Sequence, residues 1–353
     1  MKKSFATTIA LLVCSVSFAC TTVIVGAGAS ACGRPMMWKH RDSSVAFNYV
    51  CHFNGSGYAF TGVVNSADST KASVWCGSNE VGFSVMNSVA YGLSPLRDQE
   101  RPWEGIIMKK ALETCATVDE FEAYIASLPQ PNGLEANFGV TDAKGGAAYF
   151  EVHDFGYTRF DVPRDGYLIR TNYSVTGREG EGKGYDRYEL VEAKMKEHGA
   201  PFDAEWILSE LARDPLISRK TSLSSVVMEG IGEGEDPASA MLWCVAGYAR
   251  CCYALPVWVA AGDMIPEPIA MTQGVGSTAN VLAEELKEDR RGTPCEQSTR
   301  TAVQLAEDYE FAAGRMLDDF FRRNGWSEGP TAAYNKSAAE RFKIFRAAVK
   351  SAR

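Results

Sequence analysis

The chain has 353 residues, which is enough for one large domain or two ordinary ones. Hydrophobic residues make up 46% and charged residues 23% of it, as in a globular protein rather than a disordered or fibrous one. Its net charge of −8 argues against nucleic acid or an anionic membrane as the main partner, because both repel an acidic surface. No apolar run reaches the roughly 20 residues that a spanning helix needs, so we expect no membrane span.

The N-terminus has the pattern of a secretory signal peptide. Lys2 and Lys3 form a short basic region, and residues 5–16 form an apolar core that is too short to cross a bilayer. Ser17-Phe18-Ala19 then gives the small-x-small pattern that predicts cleavage before Cys20. Residues 1–19 are therefore predicted to be removed. The remaining residues 20–353 are predicted to form a single domain of an exported protein, either periplasmic or extracellular.

The pattern of apolar residues predicts blocks of strands and blocks of helices. Between residues 21 and 89, short strand-like runs are separated by Gly, Asn and Ser. The later elements are helices at about 103–116 and 118–128, strands at NFGVTD, GAAYFEVHD, YTRFDV and GYLIRT, helices at about 185–197 and 203–212, strands at 241–248 and 252–260, and a helical C-terminal part containing 298–323. Blocks of this kind, rather than strict alternation, favour antiparallel sheets covered by helices.

A glycine-rich segment at 26–31 follows the first strand and matches the GxGxxA pattern of dinucleotide-binding turns. Such a turn should open a helix, yet Gly33 and Pro35 follow at once and MMWK has the pattern of a strand. We therefore predict a hairpin between two strands, where glycine is favoured by its permissive φ.

Cys20 is the candidate nucleophile. A thiol is mostly protonated at neutral pH and needs a base, and an N-terminal residue carries one, because a free α-amine titrates near roughly pH 8. Cleavage before Cys20 would thus create nucleophile and base together. Two alternatives remain: Cys20 is no more than the residue after the cut, or it is the lipidated cysteine of a lipoprotein. Ser17 and Phe18 fit the second badly, because a bulky aliphatic residue is expected three positions before the cysteine.

Two segments resemble a known enzyme family. CTTVIV at 20–25 and WKHRD at 38–42 are similar to the N-terminal-nucleophile hydrolases of the choloylglycine hydrolase and penicillin V acylase group, and to their isopenicillin-N acyltransferase-like and acid-ceramidase-like relatives. In that family a CT strand start is followed by R-N-x-D. The resemblance implies that Asp42 bonds the α-amine of the nucleophile and that Lys39 stands at the position of the family's arginine. Arg41 is the other candidate for that cation.

Two asparagines extend the resemblance. NEVGFSVMN, which ends at Asn87, is similar to the family's N-E-x-G-L strand, whose final asparagine helps to form the oxyanion hole. LIRTNY at 168–173 resembles the L-T-N element, which implies that Asn172 contacts the reacting centre. An amide is a suitable donor there because it is neutral and does not titrate. Each asparagine alone fits a turn or strand end equally well, and the order of the three matches favours the catalytic interpretation.

The resemblance spans most of residues 20 to about 260, and it implies an α+β protein with a four-layer αββα sandwich. It also implies hydrolysis of a small-molecule linear amide without a cofactor: an N-acyl amino acid, a bile-acid-like conjugate, a penicillin-like compound or a small peptide amide. An amine in place of water would make the same site an acyltransferase, and lipidation of Cys20 would instead indicate a non-enzymatic surface protein. The oligomeric state is left open, a homo-oligomer included.

One family feature is missing, and two other kinds of site are disfavoured. The S-R-F arginine of bile-salt hydrolases is absent where this chain has SSVV at 224–227, which leaves Arg219 and Arg170 as candidate replacements. Eight further cysteines remain in the exported chain, but several lie in apolar runs where a buried free thiol is favoured over a disulfide. No metal site is predicted, because none of the four histidines stands at ligand spacing to a CxxC pair.

Overall fold

The computed structural model describes residues 19–43, 47–96, 103–219, 221–232, 234–272, 276–288 and 295–351. All of the predicted signal peptide except Ala19 lies outside the described residues. Within these ranges, no helix combines the length and the apolar character needed to cross a membrane.

The described chain contains two antiparallel sheets. Its strands are β1 (Thr21–Val25), β2 (Met36–Asp42), β3 (Asn48–Phe53), β4 (Phe60–Asn65), β5 (Cys76–Asn79), β6 (Ser84–Val89), β7 (Glu135–Thr141), β8 (Ala147–His153), β9 (Gly156–Asp161), β10 (Tyr167–Arg170), β11 (Ser222–Glu229), β12 (Met241–Ala246) and β13 (Leu255–Trp258). The first sheet has the order β10-β1-β2-β11-β12-β13, and the second runs from β3 to β9 in chain order.

Helices cover both sheets. They are α1 (Glu104–Thr114), α2 (Val118–Ala126), α3 (Tyr185–His198), α4 (Ala204–Trp206), α5 (Thr278–Glu288), α6 (Cys295–Asn324) and α7 (Glu328–Ser351). A turn of π-helix at 207–211 continues α4. The predicted helices are confirmed with shifts of one or two residues at most ends, apart from α4, where most of the predicted helix is π-helical.

The packing of these elements gives four layers. Phe121 of α2 packs edge-on against Phe138 and Phe150, so α1 and α2 cover the outer face of the second sheet. The inner faces of the two sheets share one core, in which Met86 of β6 packs with residues of β1 and β2. On the far side, Trp243 of β12 contacts a phenylalanine ring of α6 at 4.4 Å. The predicted αββα architecture is confirmed.

The glycine-rich segment after β1 connects two antiparallel strands, as predicted. The reason given for its first glycine is wrong, however. Gly26 has an ordinary φ of −68°, so it does not use the conformational freedom of glycine. A Cβ at this position would lie 2.2 Å from the carbonyl oxygen of Pro163. Close approach of two backbone segments therefore explains Gly26.

Candidate active site

The pairing of β1 with β2 brings the two family-like segments together. Thr21 lies opposite His40, and Thr22 lies opposite Lys39. Continuing this antiparallel register by one and two residues places Arg41 opposite Cys20 and Asp42 opposite Ala19. Because side chains alternate along a strand, Lys39 and Arg41 face the second sheet, whereas His40 and Asp42 face the opposite side, where Arg187 of α3 lies.

Asp42 is buried beside the peptide bond that precedes Cys20. Ser222 donates a hydrogen bond to its Oδ1 at 2.5 Å, and Nη2 of Arg219 donates to its Oδ2. The same Nη2 lies 3.4 Å from the carbonyl oxygen of Ala19. The Ala19 carbonyl belongs to the peptide bond whose nitrogen would become the α-amine of a chain starting at Cys20. The carboxylate of Asp42 therefore lies close to the future α-amine, as the resemblance implies.

His40 adds a neutral group to this cluster. Its Nε2 lies 2.9 Å from the hydroxyl oxygen of Ser222, which also bonds Asp42. Burial lowers the pKa of His40 from 6.5 to about 4, although Asp42 opposes the shift. The imidazole is therefore uncharged at neutral pH, and Arg219 supplies the positive charge beside the carboxylate.

Lys39 links the two sheets through Asn87. Its Nζ donates to Oδ1 of Asn87 and to the carbonyl oxygen of Trp75, both at 2.6 Å. Burial lowers the pKa of Lys39 from 10.5 to about 8, against the opposing effect of Cys20. Because an ammonium can only donate, the contact identifies the amide oxygen of Asn87 and leaves its Nδ2 as a donor.

Asn172 is held in a similar way by Arg187. Nη2 of Arg187 donates to Oδ1 of Asn172 at 2.7 Å, and Nη1 donates to the carbonyl oxygen of Cys20 and, at 2.7 Å, to the hydroxyl of Thr21. Nδ2 of Asn172 donates one hydrogen bond to the carbonyl of Val89 at 3.2 Å and has a second hydrogen to offer. One guanidinium thus joins the backbone of the candidate nucleophile to the second candidate oxyanion donor.

These contacts make the site strongly positive. Lys39, Arg41, Arg187 and Arg219 surround Cys20 or its neighbour Asp42, and all but Arg219 are almost completely buried. Asp42 is the anion that the described hydrogen bonds place among them. A protein whose net charge is −8 therefore concentrates cations where β1 begins and β2 ends, which favours an anion in the site.

Three solved enzyme structures are similar to this chain. An N-acylethanolamine-hydrolyzing acid amidase ortholog from Caenorhabditis elegans is 16% identical, with a TM-score of 0.47 over 59% of this chain and 92% of that one. Penicillin V acylase from Agrobacterium tumefaciens is 11% identical, with a TM-score of 0.38 over 68% and 86% of the two chains. A variant of conjugated bile acid hydrolase from Clostridium perfringens is 11% identical, with a TM-score of 0.41 over 68% and 92%. No protein-family model and no curated protein matches the chain.

The two antiparallel sheets between helical layers agree with the architecture that the sequence resemblance implies. Of the two arginines considered as replacements for the missing S-R-F arginine, Arg219 lies in the site beside Asp42. Arg170 instead stacks on the rings of Tyr149 and Phe160, with Glu151 3.7 Å from its Nε.

The sequence analysis missed Arg187. It lies in the first turn of α3, far from β1 in sequence, and no motif marks it. The one local signal is Gly184, which precedes the helix with a φ of +78°. A Cβ added at this position would lie 2.2 Å from Nη2 of Arg187. A glycine before a helix has several ordinary explanations, so this signal alone could not have identified the contact.

Proposed function

We propose that this protein is exported, loses residues 1–19 and then hydrolyses a linear amide, with Cys20 as an N-terminal nucleophile. The observation that carries the proposal is the position of Asp42 beside the Ala19–Cys20 peptide bond, bridged by Arg219. A carboxylate placed there can accept a hydrogen bond from the α-amine of a mature Cys20 and orient it toward the thiol.

The first half of the reaction forms an acyl-enzyme. Sγ of Cys20 bonds to the amide carbon of the substrate, and the thiol proton passes to the α-amine. The carbonyl oxygen becomes an oxyanion, to which the Nδ2 groups of Asn87 and Asn172 can donate. When the carbon–nitrogen bond breaks, the protonated α-amine returns its proton to the leaving amine. A thioester remains on Cys20.

The second half restores the enzyme. Water attacks the thioester carbon while the α-amine accepts its proton. Collapse of the second oxyanion breaks the carbon–sulfur bond and releases a carboxylic acid, and the α-ammonium returns the proton to the sulfur of Cys20. An amine that replaces water at this step would make the protein an acyltransferase. No step needs a cofactor.

The roles of the two asparagines are supported by their cationic partners. Arg187 and Lys39 each bind an amide oxygen, so each asparagine presents its nitrogen as the remaining polar end. Donors that are fixed before the reaction stabilise an oxyanion without reorganising, which is the main source of catalytic power in such sites.

An activity screen with a matched cysteine control tests this function. The mature chain is assayed with N-acyl amino acids, bile-acid conjugates, penicillin V and small dipeptides, beside Cys20→Ala and Cys32→Ala variants. Cys32 is a partly buried free thiol, and desolvation raises its pKa. It is therefore a poor nucleophile and serves as the control. We expect hydrolysis of at least one class by the unchanged chain and by Cys32→Ala. Undiminished hydrolysis by Cys20→Ala would contradict the proposal.

A further inference from the structure

Arg41 is a buried guanidinium whose Nη1 has no hydrogen-bond partner among the described residues. Only 3% of the residue is exposed, and its Cζ lies 4.5 Å from the centre of the Trp75 ring. Its Nη1 is fully buried and has no acceptor within the described part of the chain. Two other shielded arginines bind carboxylates: Arg34 binds Glu235, and Arg322 binds Asp318. A buried charge is costly unless it is paired, so an unpaired one indicates a missing anion.

The nearest carboxylate does not provide that anion. Asp42 follows Arg41 directly, but it faces the opposite side of β2 and already accepts from Arg219 and Ser222. On the Arg41 side, the titratable groups that face it are the thiols of Cys20 and Cys76 and the ammonium of Lys39, a second cation. The two hydrogen bonds of Lys39 leave one ammonium hydrogen available, so both cations can donate to the same incoming group.

The position of Arg41 places this missing anion close to the reacting thiol. The register of β1 and β2 puts Arg41 opposite Cys20, and directly opposed side chains have Cβ atoms about 4.5–5.5 Å apart. A guanidinium offers parallel N–H groups that match the two oxygens of a carboxylate. An acid only a few bonds from the scissile carbonyl could therefore reach Arg41 while Cys20 attacks.

We propose that Arg41, with Lys39 beside it, binds a carboxylate of the substrate. The substrates would then be amides whose carboxylate lies a few bonds from the scissile carbonyl, such as N-acyl α-amino acids. This inference rests on the proposed function and makes it narrower. It also distinguishes Arg41 from the other cations of the site, since Arg187 and Arg219 are already bonded to protein acceptors.

Two alkylating reagents of the same size test the subsite without a known substrate. Iodoacetate carries a carboxylate and iodoacetamide does not, while both transfer the same carbon to a thiolate. The rates at Cys20 of the mature chain are measured by mass spectrometry and expressed as the ratio of iodoacetate to iodoacetamide. We expect this ratio to exceed that of 2-mercaptoethanol and to fall about tenfold in Arg41→Gln, in line with a lost hydrogen bond between charged groups.

The ratio separates substrate binding from activation of the thiol. If Arg41 served only to favour the thiolate, both rates would fall by the same factor in Arg41→Gln and the ratio would not change, which would overturn the proposal. Arg159→Gln is the control, because that arginine pairs with acidic residues of the surface. If Arg41→Gln does not fold, Arg41→Lys keeps a cation without the parallel N–H groups and should show a smaller decrease.

A second measurement does not depend on the reactivity of Cys20. N-acetylglycine should raise the melting temperature of the mature Cys20→Ala variant more than N-acetylglycinamide does, and the additional Arg41→Gln change should remove the difference. Equal effects of the two compounds would contradict the carboxylate subsite. A failure of both alkylating reagents at Cys20 would instead contradict the proposed function, and this melting experiment would still decide whether Arg41 binds a carboxylate.

Discussion

Nη2 of Arg219 donates to the carboxylate of Asp42 and also lies 3.4 Å from the carbonyl oxygen of Ala19. One nitrogen thus contacts both the candidate orienting group and the residue that maturation would remove. Cleavage would take away the Ala19 carbonyl and add an α-ammonium group beside the same carboxylate. Arg219 would then lose its contact with the Ala19 carbonyl, and Asp42 would gain the α-ammonium group as a hydrogen-bond donor.

Maturation should leave an unmodified Cys20 at the N-terminus. Ser17-Phe18-Ala19 has the small-x-small pattern of a signal-peptidase site, and the amine must stay free to act as a base. Intact mass and N-terminal sequencing of the exported protein check this. A diacylglycerol-modified cysteine, or a start at another residue, would rule out the proposed base.

Replacing Asp42 with Asn should lower turnover and shift the pH–rate profile. Loss of the carboxylate removes a charge that raises the pKa of the α-amine, so the acidic limb of the profile should move to lower pH. The exposed Asp161, which pairs with Arg159, gives the control Asp161→Asn, whose profile should not move. Arg219 loses a charged partner but can still donate to the amide oxygen of Asn, so we also expect Asp42→Asn to lower the free energy of unfolding by about 1 kcal/mol or less. An unchanged profile with full activity would show that Asp42 does not tune the amine.

Arg187 should act on catalysis through Asn172. Asn172→Ala should cost about 2.7–4 kcal/mol of transition-state stabilisation, or roughly 100- to 1000-fold in turnover. Arg187→Gln should lower turnover as well, because Asn172 loses the donor that fixes its orientation. The double variant should be no slower than the slower single variant, since both changes remove the same donor. Effects on turnover that multiply would mean that the two residues act independently.

His40 should make the folded protein sensitive to acid. Its pKa is about 4 in the folded chain and 6.5 in the absence of burial, so between these values the unfolded chain binds more protons. The contribution is fully present above pH 6.5 and is lost as the pH falls toward 4, by about 3 kcal/mol in total. Denaturant unfolding at pH 7 and at pH 4.5 should show a smaller loss for His40→Gln than for the unchanged chain. Equal losses would contradict a buried neutral imidazole.

The sequence predicted the architecture well because its strands and helices are strongly patterned. It also predicted that the segments of Cys20 and Asp42 act together, and the pairing of β1 with β2 brings these segments side by side, while the catalytic roles of the two residues stay predictions. The alternation of side chains along β2 further explains why Lys39 and Asp42 face opposite sides of the sheet. These predictions depend only on residue patterns within single elements and on the pairing of strands that are neighbours in the chain.

The contacts made by Arg187 could not be predicted in the same way. They join α3 to β1 across 167 residues for the bond to Cys20, and they depend on how the helix docks on the sheet. The contact between Lys39 and Asn87 likewise crosses from one sheet to the other. Side chains of this kind are positioned by packing between layers, on which the local sequence pattern gives no information.

The central claim is that Cys20 uses its own α-amine as the base, and a chain that starts at Ala19 tests it most directly. Ala19 lies within the folded structure, so both chains should fold, and a melting curve of each confirms this. In the longer chain the nitrogen of Cys20 is an amide and cannot accept a proton. With a substrate found in the activity screen, we predict that kcat/KM of the Ala19 chain is at least about 100-fold below that of the Cys20 chain, the lower end of the general-base contribution. Equal kcat/KM values for the two chains, confirmed by mass to be uncut and cut, would contradict the account.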